Sequence, residues 1–181
     1  RFIGLQAGIP HSTSAQTINR LCASSMTAIH TATAMIMSKQ GDTYICGGVE
    51  HMGHVPMNHG VDFNPALSKF VSKASGSMGL TAEFLSKKHK ISRKEQDQFA
   101  LRSHNNASYA TNNNLFANEI IPTLGHKKNG SLSLIERDEV IRFDATLESL
   151  SKLKPVFDPL SGTVTAGNSS AIADGSAALI I

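Results

Sequence analysis

The apolar positions change period several times along the chain, and each change marks an element. Ala15 to Ile18 forms a short strand-like run ahead of Asn19 and Arg20. From Ala23 to Lys39, Ala, Met and Ile recur around most of a helical circumference, interrupted only by His30 and small hydroxyls. A helix apolar on most sides is one covered on most sides, so this segment is expected to lie between sheets. Gln40, Gly41 and Asp42 supply a stop and a turn, and Asp42 to Val49 reads as a strand. Strand, helix and strand predict a βαβ unit.

Met52 to about Val71 is rich in Gly, Pro, Asn and His without a clear period, which predicts an irregular segment. Ser92 and Glu95 have the spacing of a capping box, and Phe99, Ala100, Ser103, Ala107 and Ala110 follow at helical intervals. They predict a helix over Arg93 to about Asn112, ended by Asn112, Asn113 and Asn114. A further helix is expected from Thr146 to a point before Pro155, because the residue ahead of a proline disfavours the α region. Val164 to Ser170 reads as a loop, and Asp174 and Gly175 turn the chain into a final strand, Ser176 to Ile181, that returns to the sheet of the first unit. The middle of the chain is then an insertion. No internal repeat or low-complexity segment is present.

Composition narrows the class. With 181 residues and 40% hydrophobic content the chain can bury a core, and no run of about 18 apolar residues is present. No signal-peptide order opens the sequence, so a soluble protein is expected. Residue 1 is Arg, and the chain stops in an apolar strand without cap or turn; a fragment of a longer polypeptide is therefore expected. Two cysteines give no disulfide framework and fit a reducing, cytoplasmic setting. The formal charge of +3, with much of the positive charge between Lys69 and Lys94, is too small to point to nucleic acid. It suits a small polyanionic ligand, although a solvated face is the commoner explanation of such charges. Aromatic residues, at 6%, are too few for a base-stacking platform.

The candidate chemistry centres on Cys22, at the junction between strand-like run and helix. The first N–H groups of a helix lack internal partners, and a thiol placed there is favoured as the nucleophilic thiolate. From position alone, a buried structural cysteine is an equal alternative. Cys46, mid-strand between Ile45 and Gly47, reads as a buried inert thiol. Glu50, His51, His54 and His59 cluster in sequence, but their spacing completes no metal site, so no metal is expected.

The stretch Thr17 to Met35 (TINRLCASSMTAIHTATAM), followed by Tyr44 to Met57 (YICGGVEHMGHVPM), resembles the nucleophile segment and next strand of the thiolase family. Met78 to Glu83, Glu95 to Ala100, Asn118 to Pro122, Asp138 to Arg142 and Thr163 to Asp174 also resemble thiolase segments, so the likeness covers essentially the whole chain. It is strongest toward degradative 3-ketoacyl-CoA thiolases such as the thiolase subunit of the bacterial fatty-acid oxidation complex. The resemblance implies an α/β fold with αβαβα layers, of which this chain forms part of the N-terminal half. Residues 1–51 and 166–181 would belong to the core, and 52–165 to an inserted loop domain holding much of a coenzyme A site.

By the same resemblance, Cys22 is the nucleophile of an acyl transfer that cleaves 3-ketoacyl-CoA through a thioester, with coenzyme A as substrate and no cofactor. Met78, Arg142, Ser149, Phe157, Ala166, Ser169, Ser170 and Ile172 match coenzyme A and substrate contacts. Three further thiolase segments, an Asn-Glu-Ala-Phe, a Gly-His-Pro and a late Cys-x-Gly, do not occur in the sequence. Ser77 stands where biosynthetic relatives have His, which leans toward longer acyl chains. A homodimer is implied, with the hydratase/dehydrogenase subunit of an oxidation complex as a further partner. Biosynthetic acetyl-CoA acetyltransferase and a non-catalytic, thiolase-like acyl-CoA or lipid-binding protein are the alternatives.

Overall fold

The computed structural model describes residues 1–127 and 129–181; the side chain of Lys73, one of the basic run noted above, also lies outside the described parts. In chain order the elements are α1 (Phe2–Gln6), α2 (Ser24–Met37), β1 (Ile45–Glu50), α3 (Met78–His89), α4 (Arg93–Asn112), β2 (Thr123–His126), β3 (Leu132–Ile135), α5 (Leu147–Ser151) and β4 (Gly175–Ile180). Single 3-10 turns occupy Pro65–Lys69 and Lys73–Gly76. The chain folds as two compact units, one of residues 1–59 with 173–181, the other of residues 60–172.

In the first unit β1 and β4 pair antiparallel, from Ile45 opposite Ile180 to Glu50 opposite Gly175. Reciprocal bonds between Tyr44 and Ile181, both 2.9 Å, extend the ladder. The last strand therefore does return to the sheet of the first unit. α2 packs on β1, and the Gly47-Gly48 pair explains how closely: a Cβ on Gly48 would overlap the Ser25 side chain. Cys46 is buried beside them, its Sγ 3.6 Å from the Ala28 carbonyl oxygen.

Two expectations about this unit need correction. Residues 15–18 form no strand, because no described segment offers them a ladder of backbone partners, and strand geometry is stable only when paired. α2 is covered on one side only: Ala32 is its single buried residue, while Met26 and Met37 are 62% and 79% exposed. A two-stranded ribbon covers one helix face, and among the described residues nothing covers the other.

In the second unit α4 spans the expected Arg93–Asn112, started by a complete Ser92–Glu95 capping box. The Ser92 hydroxyl, and then its backbone N–H, hold the Glu95 carboxyl below the usual carboxylate range. The helix expected from Thr146 is a short one, α5, with its own capping box between Thr146 and Ser149. β2 and β3 make an antiparallel hairpin.

The core of this unit is mostly polar. Glu83, Asp97 and Thr165 are at most 3% exposed and lie with Leu150, Val164 and Ser86. Buried charge is tolerated only when its hydrogen-bonding capacity is met. Glu83 of α3 accepts from the Thr163 N–H at 2.9 Å, the Val164 N–H at 2.8 Å and the Thr163 hydroxyl at 3.1 Å. Asp97 of α4 accepts from Arg93 Nε at 2.9 Å and from Asn168 Nδ2 at 3.0 Å. Arg93 also donates to the carbonyls of Leu150 (2.7 Å) and Leu153 (3.0 Å), tying α4 to α5.

The break between units falls after His59 and after Ile172, against expected breaks after His51 and Thr165. Residues 52–59 stay with the first unit, where the Gly53 N–H donates to Asp174 at 3.4 Å. Residues 166–172 stay with the second, where Asn168 bonds Asp97.

Candidate functional site

Cys22 lies just ahead of α2, in a tight turn rather than inside the helix. The turn is locked by short local bonds: Ala23 N–H to the Arg20 carbonyl (3.1 Å), Ser24 N–H to the Leu21 carbonyl (3.0 Å) and Arg20 N–H to Ser24 Oγ (2.8 Å). Leu21 is held in the left-handed region at φ 51°, with its N–H donating to the Asn19 carboxamide at 3.0 Å. That conformation costs a residue with a Cβ about 1–2 kcal/mol, and here it turns the next residue outward, so that Cys22 is exposed. The N-cap residue is Ala23, which offers no side-chain acceptor to the first turn. With the Ser24 N–H taken by the Leu21 carbonyl, the Ser25 and Met26 N–H groups are the ones that, among the described residues, keep their capacity for a negative charge at this end of the helix.

Of the two cysteines, then, Cys22 is exposed and Cys46 is 6% exposed under α2. Iodoacetamide should alkylate Cys22 well before Cys46 in the folded protein, as read by peptide mass spectrometry. Preferential labelling of Cys46 would remove Cys22 from consideration.

The residues matched to coenzyme A all belong to the second unit. Met78 opens α3 and is 78% exposed. Phe157 packs its ring on Gly79, where any Cβ would collide with it. The next residue, Asp158, caps the turn that follows. Its carboxyl is held far below the usual range by the Ser161 hydroxyl, then by the Ser161 N–H and Lys87. Ala166, Ser169 and Ser170 sit on the loop fastened by Glu83 and Asp97; Ala166 and Ser170 are exposed, and Ser169 Oγ is buried and, among the described residues, without a hydrogen-bond partner. Ile172, 72% exposed, ends that loop. Arg142 is exposed, and among the described residues its guanidinium enters no ion pair.

Ser149 has a local role that the sequence reading missed. Its hydroxyl accepts from the Thr146 N–H at 3.1 Å and donates to the Thr146 carbonyl at 2.9 Å, closing the cap of α5. The reading also missed Glu83, Asp97 and Asn168, which fix the loop. Only the Arg93–Asp97 pair carried a local signal, an opposite charge four residues away on one helix face.

The sequence cluster of Glu50, His51, His54 and His59 lies in the first unit. His51 Nδ1 lies 3.0 Å from Asp174, and its ring is 5.4 Å from that of His54. Burial pushes the Asp174 carboxyl up, but the Gly53 N–H and His51 outweigh this and hold it below the usual range. Among the described residues no three His, Cys, Asp or Glu side chains gather as a metal site, and no helix is long and apolar enough to cross a membrane.

Comparison with known proteins places the chain as a whole. The family description "Thiolase, N-terminal domain" matches residues 1–181. The chain is 59% identical over 181 residues to the 3-ketoacyl-CoA thiolases of Photobacterium profundum and Shewanella loihica, covering all of this chain and 47% of each relative. The chain therefore spans about half the length of the curated relatives it matches. Among solved structures, the dimeric peroxisomal thiolase of Saccharomyces cerevisiae superposes with a TM-score of 0.84 at 37% identity, over 97% of this chain and 45% of that one. Human mitochondrial 3-ketoacyl-CoA thiolase gives 0.82 at 38% identity, over 99% and 48%. A family match over residues 1–181, 59% identity to curated relatives and superposition on two solved thiolases lead to one conclusion: the chain belongs to the thiolase family and has the α/β fold of its N-terminal half.

Proposed function

We propose that the whole protein is an acetyl-CoA C-acyltransferase that cleaves 3-ketoacyl-CoA during fatty-acid β-oxidation. The observation that supports this most is the 59% identity to a 3-ketoacyl-CoA thiolase over all 181 residues of the chain, a span that includes the segment around Cys22. In this reading the Cys22 thiolate adds to the 3-keto carbon, and negative charge develops on its oxygen. The backbone N–H of Cys22 would donate to that oxyanion. Breaking the C2–C3 bond expels acetyl-CoA as an enolate, which takes up a proton, and leaves a thioester on Cys22. The thiol of a second coenzyme A then attacks the thioester, releasing the shortened acyl-CoA and regenerating the cysteine. Sulfur suits both halves, as a ready nucleophile and a good leaving group.

Coenzyme A is thus a substrate, and no resident cofactor enters. Arg142 would serve the nucleotide, Phe157 the pantetheine arm, and Ala166, Ser169, Ser170 and Ile172 the path toward the sulfur, with Ser149 and Met78 completing the site. The domain assignment follows the same reading, with the second unit as the loop domain. We further assign the protein to the cytoplasm, as a homodimer, in line with the dimeric yeast relative, with the hydratase/dehydrogenase subunit of an oxidation complex as partner. The test is direct: the whole protein, given a 3-ketoacyl-CoA and free coenzyme A, should release acetyl-CoA and an acyl-CoA two carbons shorter. Binding of acyl-CoA without cleavage would favour the lipid-binding alternative.

A further inference from the structure

Arg142 is set in place by a histidine 38 residues earlier in the chain. Its backbone N–H donates to Nδ1 of His104, at 3.2 Å. His104 is half-buried on α4, in the interior of the longest helix of its unit, whose Arg93 and Asp97 are anchored to α5 and to the 163–168 loop. The Arg142 carbonyl oxygen accepts from the Ala145 N–H at 3.4 Å, and the guanidinium of Arg137 lies 5.7 Å from the centre of the Phe143 ring. Around Arg142 the segment is otherwise without helix or strand, so the His104 bond is the described link from the Arg142 backbone to a rigid element. Accepting through Nδ1 requires the neutral ring with its proton on Nε2.

We propose that His104 is a positioning residue for coenzyme A. It fixes the Cα of Arg142 against α4, so that the exposed guanidinium starts from a defined point. This rests on the reading of Arg142 as a coenzyme A contact. A long side chain projecting from a wandering backbone loses affinity to the ordering cost of its loop, which the histidine removes in advance.

The test uses two variants of the whole protein and two readouts. In His104→Leu, amide exchange at Arg142 should quicken, and the dissociation constant for coenzyme A should rise about three- to tenfold, the value of one net hydrogen bond. Turnover at saturating coenzyme A should stay within about twofold, since no reacting atom is touched. His104→Asn should restore both readouts, because its carboxamide oxygen accepts where Nδ1 did, whereas a merely space-filling role would be served as well by Leu. Unchanged Arg142 exchange in His104→Leu, or an asparagine variant as impaired as the leucine one, overturns the proposal. If Arg142→Ala weakens coenzyme A binding and His104→Leu does not, positioning fails while the site reading stands. If exchange quickens but neither variant alters affinity, both the site reading of Arg142 and the affinity role of His104 fall.

Discussion

Cys22→Ser in the whole protein is expected to lower thiolytic turnover by on the order of 10⁴ to 10⁶, the scale seen when a covalent nucleophile is removed. Three features of the site lead there. The hydroxyl of serine is far harder to ionise than a thiol, so an uncapped helix start does little to activate it. The oxyester formed by a serine would pass its acyl group to coenzyme A less readily than a thioester. Finally, the substitution is nearly isosteric in an exposed turn already held by Arg20, Leu21 and Ser24, so the fold should not change. Coenzyme A affinity, measured separately by calorimetry, should remain within a few-fold of wild type, because the proposed contacts are carried by residues 78–172. Turnover within about tenfold of wild type would remove Cys22 from the mechanism.

The largest effect on stability is expected from Asp97→Ala. Asp97 is 3% exposed and balances Arg93, whose own side chain is 24% exposed, while also accepting from Asn168. Removing one partner of such a pair leaves a poorly hydrated charge and one Asn168 amide hydrogen without its acceptor, while the bond to the Thr163 carbonyl remains, at a cost of about 3–5 kcal/mol. Asp97→Asn keeps the shape and one acceptor and should cost clearly less. Urea denaturation would show the difference as a shift in midpoint, and amide exchange at residues 163–168 should quicken in the alanine variant, since the loop loses its Asn168 anchor. A loss below about 1 kcal/mol would mean that the pair contributes no more than an exposed ion pair does.

How far the sequence could be read follows from how local each signal is. α4 was legible to its ends because Ser92, Glu95 and the Ala spacing all act within a few residues. The turn from Asp174 into β4 was legible for the same reason. α3 passed unseen as a helix because its N-cap, Ser77, forms no side-chain cap bond and its apolar stripe is weak. The coverage of α2 was misjudged because apolar positions show what a helix can bury, whereas what covers it depends on other strands. The Glu83 network was invisible because its partners, Thr163 and Val164, lie 80 and 81 residues away. The strained Leu21 could not be anticipated either, since leucine favours no left-handed turn and only the Asn19 and Ser24 bonds hold it there. The place of Cys22 just ahead of α2 was legible because small helix-forming residues follow it directly, but the turn that holds it there required the structure.

The account stands most directly on one covalent bond. The whole protein, mixed with a 3-ketoacyl-CoA in the absence of free coenzyme A and quenched in acid, should carry one acyl group on the peptide containing Cys22, two carbons shorter than the substrate's acyl chain. The adduct should disappear when coenzyme A is added before the quench. An acyl group found on Cys46 or on any other residue, or substrate cleavage with no adduct on Cys22, would contradict the assignment of this cysteine as the nucleophile.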